Sequence, residues 1–303
     1  MNNLTVSHFP HIRDRATTNR IMLDVVIALI PALIVSVAVF GARAALIVCV
    51  CVISSVASEW IFRKAMKKPD TIRDFSAVIT GLLLAFSLPV GIPVWQAVFG
   101  SVVAIILVKQ LFGGLGKNFA NPAATARIIL FLAFSVEMTA FTGPDAITGA
   151  TPLAAIAGGG TLPSLTDMIL GIRGGCLGET SVLALVIGGI YLLARRVITW
   201  QAPVTFITTV FVFSAVLGQQ PVWQILSGGL LLGAIFMATD YVTTPITAWG
   251  KVIFGVGAGF FTVVIRVYGA YPEGVSFAIL LMNIITPYIN RLTARRPFGR
   301  SKV

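Results

Sequence analysis

Histidine and cysteine, from which most metal and thiol-redox centres are built, are nearly missing from this chain: two His and three Cys in 303 residues. His8 and His11 stand as H-x-x-H in a polar amino-terminal arm with no third histidine, too few ligands for a tetrahedral site, and no metal is expected. Cys49 and Cys51 lie two apart in an apolar run, so on a helix they point about 200° apart and cannot share an ion. With Cys176 as the third, no disulfide framework is expected. Charge is equally scarce. Only 11% of residues are Asp, Glu, Lys or Arg, against about 25% in soluble domains, and the mean hydropathy is +0.94. These values exclude a soluble fold. Paired catalytic carboxylates, a nucleophile elbow, a Walker loop and a cysteine cluster are also missing, so the chain offers no hydrolase, nucleotide or iron–sulfur site of its own. A cleavable signal peptide is not expected either, because the first twenty residues are polar and the first apolar run is long.

What the chain does contain is apolar runs long enough to cross a bilayer. Ten are expected as spans, at 21–40, 44–62, 75–89, 94–112, 122–138, 181–198, 202–218, 221–239, 249–267 and 273–290. The third and fifth are short and carry Gly, Pro or Asn at an end, the mark of discontinuous or tilted helices. Lys and Arg set the orientation. With the amino terminus inside, nineteen of the 22 fall in inner segments, Lys109, Lys117 and Arg127 among them, and only Arg43, Arg173 and Arg266 fall outside. Topology thus accounts for the net charge of +11, and nucleic acid is not an expected partner.

The expected architecture is an all-α polytopic membrane protein with about ten transmembrane helices and both termini cytoplasmic. Its parts are an arm at 1–20, a first five-helix repeat at 21–138, an extracytoplasmic loop at 139–180, a second repeat at 181–290 and a basic tail at 291–303. The two halves are read from three matches in order. Gly81-Leu82-Leu83-Leu84 resembles Gly229-Leu230-Leu231-Leu232 at an offset of 148, Trp95 matches Trp249 at 154, and Asn121-Pro122 matches Tyr271-Pro272 at 150. Matching spans run in opposite directions, which predicts an inverted repeat about a pseudo-two-fold axis in the membrane plane.

Ionisable groups in such a chain are suspects for function, since charge at membrane depth is costly. Asp24, Glu59, Lys109, Arg127, Asp240 and Arg266 all lie near span ends, close enough to an interface to snorkel or pair. If a cation path exists, Asp24, Glu59 and Asp240 are its candidates. The segment from Gly113 to Ala123 joins glycines, which allow close backbone approach, to Asn118 and Asn121, which both donate and accept, and to Pro122 at a helix start. It reads either as a cradle for a planar hydrogen-bonding ring or as a simple re-entry turn. The interval 145–153 reads D-A-I-T-G-A-T-P-L. Thr151 there is a hydroxyl in a small-residue setting that a bulky enzyme or cofactor could reach, with Asp145 placed to orient a metal–phosphate group. Read without a family, Thr151 is an N-terminal helix cap before 152–157.

These segments resemble one family. D-A-I-T-G-A-T at 145–151 is similar to the D-x-x-[S/T]-G-A-T site at which a flavin transferase links FMN to the last Thr through a phosphoester. Together with His11-Ile12-Arg13, Thr17-Thr18, I-M-L-D-V-V-I-A-L-I-P-A at 21–32, G-L-G-K-N-F-A-N-P-A at 114–123 and G-V-S-F-A-I-L-L-M-N at 274–283, it resembles the RnfD/NqrB family. One branch of that family, RnfD, serves the Rnf ferredoxin–NAD oxidoreductases; its paralogue, NqrB, serves the sodium-pumping NADH:quinone oxidoreductase. The resemblance implies covalent FMN on Thr151, with Asp145, Thr148, Gly149 and Ala150 as the recognition sequence. It also implies a second, non-covalent flavin such as riboflavin at Asn118 and Asn121, and a fold similar to urea transporters. It implies RnfA, RnfB, RnfC, RnfE and RnfG and a flavin transferase as partners. The setting would be a prokaryotic inner membrane with the flavin loop outside, in a pump of Na⁺ or H⁺. The short amino-terminal arm favours the Rnf branch over its paralogue. A flavin-free solute pore and a purely structural assembly protein are the other classes to separate.

Overall fold

All ten apolar segments are helical in the computed structural model, which describes residues 17–141, 143, 151–158, 163–171, 173–179, 181–269 and 273–294. Asp145, Thr148, Gly149 and Ala150, the arm with His8 and His11, and most of the basic tail lie outside the described residues. The first half is α1 (Thr18–Phe40), α2 (Ala42–Ala65), α3 (Ser76–Phe86), α4 (Val94–Val102, running on as a π-helix Val103–Gln110), α5 (Pro122–Ala133) and α6 (Ser135–Thr139). Two short helices follow, α7 (Pro152–Gly158) and α8 (Leu165–Leu170). The rest is α9 (Val182–Ala194), α10 (Gln201–Val216), α11 (Pro221–Leu226), α12 (Leu230–Leu232, running on as a π-helix Gly233–Met237), α13 (Ala248–Tyr268) and α14 (Val275–Thr293). No strand occurs among the described residues, where one isolated antiparallel bridge joins Pro89 to Cys176.

Four helices, α1, α2, α13 and α14, have 23, 24, 21 and 19 residues and are long and apolar enough to cross a membrane. At about 1.5 Å per residue they reach roughly 28 to 36 Å, the thickness of a hydrocarbon core. The third and fifth segments are short, as their ends suggested: α3 has 11 residues and α5 has 12. The eighth departs from expectation. Read as one run over 221–239, it is broken at Ser227, Gly228 and Gly229, with φ of 68° and 64° at the two glycines, a left-handed turn that a side chain would resist.

Packing follows the logic of helices in lipid, where small residues let backbones approach. A Cβ on Gly188 of α9 would stand 2.2 Å from Ala28 O of α1, and one on Gly255 of α13 would stand 2.0 Å from Thr205 Oγ1 and 2.7 Å from Ala202 O of α10. The contacts repeat between halves. α2 packs on α3 and α4 as α10 packs on α13 and the second π-helix; α4 meets α5 as α13 meets α14; α1 pairs with α9 and α5 with α14. Large apolar side chains such as Ile34, Ile53, Trp95, Val216 and Trp249 point outward, a surface suited to lipid rather than water.

One of the three repeat matches does not hold position by position. Gly81 lies inside α3, whereas Gly229 is the left-handed residue that opens α12. The residue placed like Gly229 is Phe75, left-handed at φ 59° and opening α3, 154 positions earlier. The same offset separates Trp95 from Trp249, each the second residue of its helix. Glycine and leucine recur too often in membrane helices for a four-residue match to fix register.

Gly255→Val is expected to lower the stability of the detergent-solubilised chain by about 2 kcal/mol, since overpacking at a tight contact costs of that order. Gly158→Ala, where nothing lies within 4 Å of the added carbon, is expected to leave the thermal midpoint unchanged.

Candidate functional site

Polar side chains inside this apolar protein gather in two places, each beside a helix that starts from a left-handed residue. The first is a pocket walled by α1, α3, the end of α9 and the second π-helix, with an empty volume of ≈ 780 Å³ including its mouth. Its lining is mainly apolar, and its polar groups include Asn118, Asn121, Thr80, Asp240 and Lys109. The two asparagines of the 113–123 segment therefore do share one cavity, and Asp240 joins them.

Each asparagine is partly committed. Asn121 caps α5, its Oδ1 accepting from Ala123 N and Ala124 N, both at 3.1 Å, and its Nδ2 reaches Met237 O at 3.5 Å. Asn118 Nδ2 donates to Ala120 O at 3.0 Å, and among the described residues its Oδ1 has no hydrogen-bond partner. The asparagine amide of Asn283, oriented to satisfy its surroundings, accepts from Asn121 N at 3.0 Å and donates to Thr243 O at 3.2 Å. It ties α14 to the pocket floor.

Behind the pocket stands a buried ion pair. Lys109 Nζ, on the first π-helix, donates to Glu59 Oε2 at 2.7 Å and to Ser76 Oγ at 2.6 Å. Glu59 Oε1 accepts from Thr71 Oγ1 at 2.7 Å, and the paired side chains are 2% and 1% exposed. Of the three cation-path candidates, Glu59 is thus screened from the pocket by Lys109. Asp240 lines the pocket and accepts from Val242 N and Thr243 Oγ1. Asp24 belongs elsewhere: it bridges α1 to α9 through Tyr191 Oη at 2.9 Å and Arg195 Nη2 at 3.2 Å.

The second gathering holds three buried arginines. Arg266 donates to Gln224 O at 2.6 Å, Ser227 O at 3.0 Å and Gly228 O at 3.4 Å, and Arg173 donates to Leu226 O and Glu179 O at 2.6 and 2.7 Å. They take up the carbonyls left over where α11 stops. Glu179 accepts from Gly228 N, and Arg127 of α5 donates to Glu273 and to Cys176 Sγ. Cys176, Glu179 and Glu273 bring their ligand atoms within 4.8 Å of one another, yet Arg127 bonds two of the three. Burial raises the Cys176 thiol well above its ordinary value, with the Arg127 guanidinium opposing, so the sulfur is a neutral thiol and not a metal-ready thiolate. Arg127 counts with the inner segments by charge, but it lies with Cys176 and Glu179 of the 139–180 interval. Sequence reasoning flagged Arg127 and Arg266 singly and missed Glu179 and Glu273; the signal was two signs of charge recurring in a chain with so little of either.

Thr151 is buried, 5% exposed. Its Oγ1 accepts from Ala154 N at 3.2 Å and its carbonyl from Ala155 N at 2.8 Å, so it caps α7, as the family-free reading allowed. α7 rests on α11. Leu153, two residues on, reaches the same spot beside Gly228 that Arg266 does. The candidate attachment residue is therefore seated against the arginine-held break.

The described residues form an all-helical, multi-pass membrane protein whose buried polar side chains cluster mainly at two helix breaks, one of them beside a pocket. More particularly, the chain belongs to the NQR2, RnfD, RnfE family, whose model matches residues 5–299. It is 50% identical over 308 residues to the D subunit of the Na(+)-translocating ferredoxin:NAD(+) oxidoreductase complex of Acetobacterium woodii, covering 99% of this chain and 97% of that one. It is 41% identical over 320 residues to the D subunit of the proton-translocating ferredoxin:NAD(+) oxidoreductase complex of Clostridium ljungdahlii, covering 98% and 97%. The D subunit of an ion-translocating oxidoreductase complex of Stutzerimonas stutzeri is 38% identical over 331 residues, covering 95% and 94%.

Removing one partner of a buried pair strands the other's charge, at about 3–5 kcal/mol. Arg127→Met is therefore expected to lower the melting midpoint of the purified chain sharply, and Arg127→Met with Glu273→Gln to recover more than half of the loss. Equal midpoints in the single and double variants would show that the pair does not hold α5 to α14.

Proposed function

We propose that this chain is the electron-carrying membrane component of an ion-translocating ferredoxin:NAD oxidoreductase complex of the Rnf type. In this reading it carries FMN as a phosphoester on Thr151 and a second flavin, such as riboflavin, bound without a covalent link beside Asn118 and Asn121. The observation that carries it is near end-to-end similarity to proteins of that name, joined to D-A-I-T-G-A-T ending on Thr151. Two of the relatives are named for ferredoxin, which favours this complex over the quinone-reducing paralogue.

The residues fit what is asked of them. Esterification replaces the hydroxyl proton of Thr151 and leaves Oγ1 a lone pair for Ala154 N–H, so the cap and the ester are compatible. Because Thr151 is buried, transfer requires the 151–158 segment to lift from α11, and the finished ester is then held by the same contact. In the pocket, Asn118 Oδ1 offers an acceptor and Asn121 Nδ2 a spare donor, which suits the alternating donor and acceptor atoms along the pyrimidine edge of a flavin. Apolar walls from α1 and α3 suit its rings. A bound flavin supplies one- and two-electron chemistry that no side chain here provides. The protein's share is to place the rings, exclude water and fix their charge environment.

The topology belongs to the same proposal. Ten spans, both termini cytoplasmic and an extracytoplasmic 139–180 loop are supported by the charge asymmetry and by helices at all ten segments. The two five-helix repeats, at 21–138 and 181–290, are supported by the matched packing of the halves, by the self-pairing of α1 with α9 and of α5 with α14, and by the shared 154-residue offset. The reading places the protein in a prokaryotic inner membrane with RnfA, RnfB, RnfC, RnfE and RnfG. A flavin transferase completes it, and Asp24, Glu59 and Asp240 remain the side chains that would meet a translocated Na⁺ or H⁺.

The test is the intact mass of the chain purified from cells that make the complex. A mass increment equal to esterified FMN, yellow colour surviving denaturation, and complete loss of both in Thr151→Val are expected. A wild-type chain of unmodified mass, made alongside an active flavin transferase, would sink the covalent part. For topology, Pro163→Cys is expected to react with an impermeant maleimide in intact cells and Lys68→Cys only after permeabilisation; the reverse pattern would invert the assignment.

A further inference from the structure

The ammonium of Lys109 has three N–H donors, and the structure accounts for two, on Glu59 and Ser76. The third has no partner among the described residues, and Lys109 lines the pocket. Its surroundings fix it there. Lys109 is 2% exposed, its stem is packed at the end of a π-helix, where Leu111 N bonds Ile106 O five residues back, and Ser76 is itself held by Asp74. A π-helical stretch costs regular geometry and recurs where a side chain must be aimed. Here the side chain it ends on is the one cation of the pocket wall among the described residues.

We infer that Lys109 is a positioning residue for the pocket's electron carrier: it donates its third N–H to the pyrimidine edge of the bound flavin and compensates the negative charge that reduction puts there. This rests on the second-flavin reading above. Two electrons originating from reduced ferredoxin, the donor in the proposed reaction, and one proton from water convert a neutral oxidised ring into a reduced ring of charge −1, with the charge concentrated at the pyrimidine end. In a low-dielectric wall a fixed cation within hydrogen-bond reach of that edge stabilises the reduced ring more than the oxidised one. Glu59 sets the strength of the effect. As the counter-ion of Lys109 it already offsets part of the positive charge, so the field felt by the ring is the difference between the two. As the ring takes up charge, Lys109 is shared between ring and carboxylate, and Glu59 is correspondingly freed for another cation.

The experiment uses the full chain in nanodiscs with Thr151→Val throughout, so that the only flavin is the one added, with riboflavin as the probe. Binding is read from flavin fluorescence quenching and the midpoint potential from a mediated spectroelectrochemical titration. Lys109→Met is expected to bind oxidised riboflavin within about threefold of the parent, while its preference for the reduced over the oxidised ring falls at least tenfold, a lowering of about 30 mV for a two-electron couple. Lys109→Arg, which keeps the charge, should stay near the parent. Glu59→Gln should shift the potential upward, and Lys109→Met with Glu59→Gln, which leaves no stranded charge, should return below it. The double variant guards against loss of folding in Lys109→Met alone. Riboflavin bound by all variants at one common potential would overturn the role given to Lys109 and leave the flavin pocket standing. A parent chain that binds no riboflavin would remove both.

Discussion

A helix interrupted inside hydrocarbon leaves backbone groups that water cannot reach, and each costs several kcal/mol unless the protein supplies a partner. That constraint organises this molecule. Where α11 ends, Arg266 and Arg173 take the carbonyls of Gln224, Leu226, Ser227 and Gly228, and the Glu179 carboxylate takes the N–H of Gly228. Where α3 begins after Phe75, Asp74 takes the N–H of Ser76 and Lys109 bonds its hydroxyl. Lys109 of α4 and Arg266 of α13 each come from the next long helix along the chain, and Arg173 adds a second cation at the break after α11. Several of the buried charges are thus the fittings of the chain's discontinuities.

Once the breaks are held, the two candidate sites follow from them. Short α3 and capped α5 leave room for the pocket, which Asn121 closes at the floor while bonding the start of α5. The loop after α11 carries two left-handed glycines and offers a flat, side-chain-free seat on which Leu153 rests, and Thr151 with it. Irregular backbone is tolerated at membrane depth only where it is buried or lines a cavity, and both breaks meet that condition.

Much of this was legible in the sequence, for reasons that differ by feature. The ten segments are written in apolar run length, which the bilayer enforces directly. The short third and fifth helices are written in Gly, Pro and Asn at their ends. That Asn118 and Asn121 share a cavity follows from the two residues, Phe119 and Ala120, that separate them in one turn, so local chemistry was enough. The break at 227–229 was hidden because Ser-Gly-Gly inside a leucine-rich run is tolerated in an unbroken membrane helix. The pairings Glu59 with Lys109 and Arg127 with Glu273 join residues 50 and 146 positions apart, and nothing local to either partner names the other. The match of Gly81 to Gly229 does not hold in position, because composition produced it; the left-handed residue placed like Gly229 is Phe75.

The ion remains the sharpest chemical question, and the carboxylates narrow it. Relatives 50% and 41% identical to this chain are named for sodium and for protons respectively, so the ion is not set by the overall fold. Sodium would need several oxygen ligands at once, whereas a proton needs a single carboxylate. Asp24 is held by Tyr191 and Arg195, Glu59 by Lys109 and Thr71, Asp240 by Val242 N and Thr243, Glu179 by Gly228 N, and Glu273 by Arg127. Each of the five has a partner, but Glu179 Oε2 has no hydrogen bond of its own among the described residues. At the others, a cation crossing this protein must compete with a lysine, an arginine, a hydroxyl or a backbone N–H for its ligand. Only at Glu59 does the displaced cation have somewhere else to bond, because Lys109 faces the pocket. A cation that replaced Lys109 at Glu59 would leave the ammonium bonded to Ser76 and facing the pocket, so opening that pair does not leave the lysine without a partner.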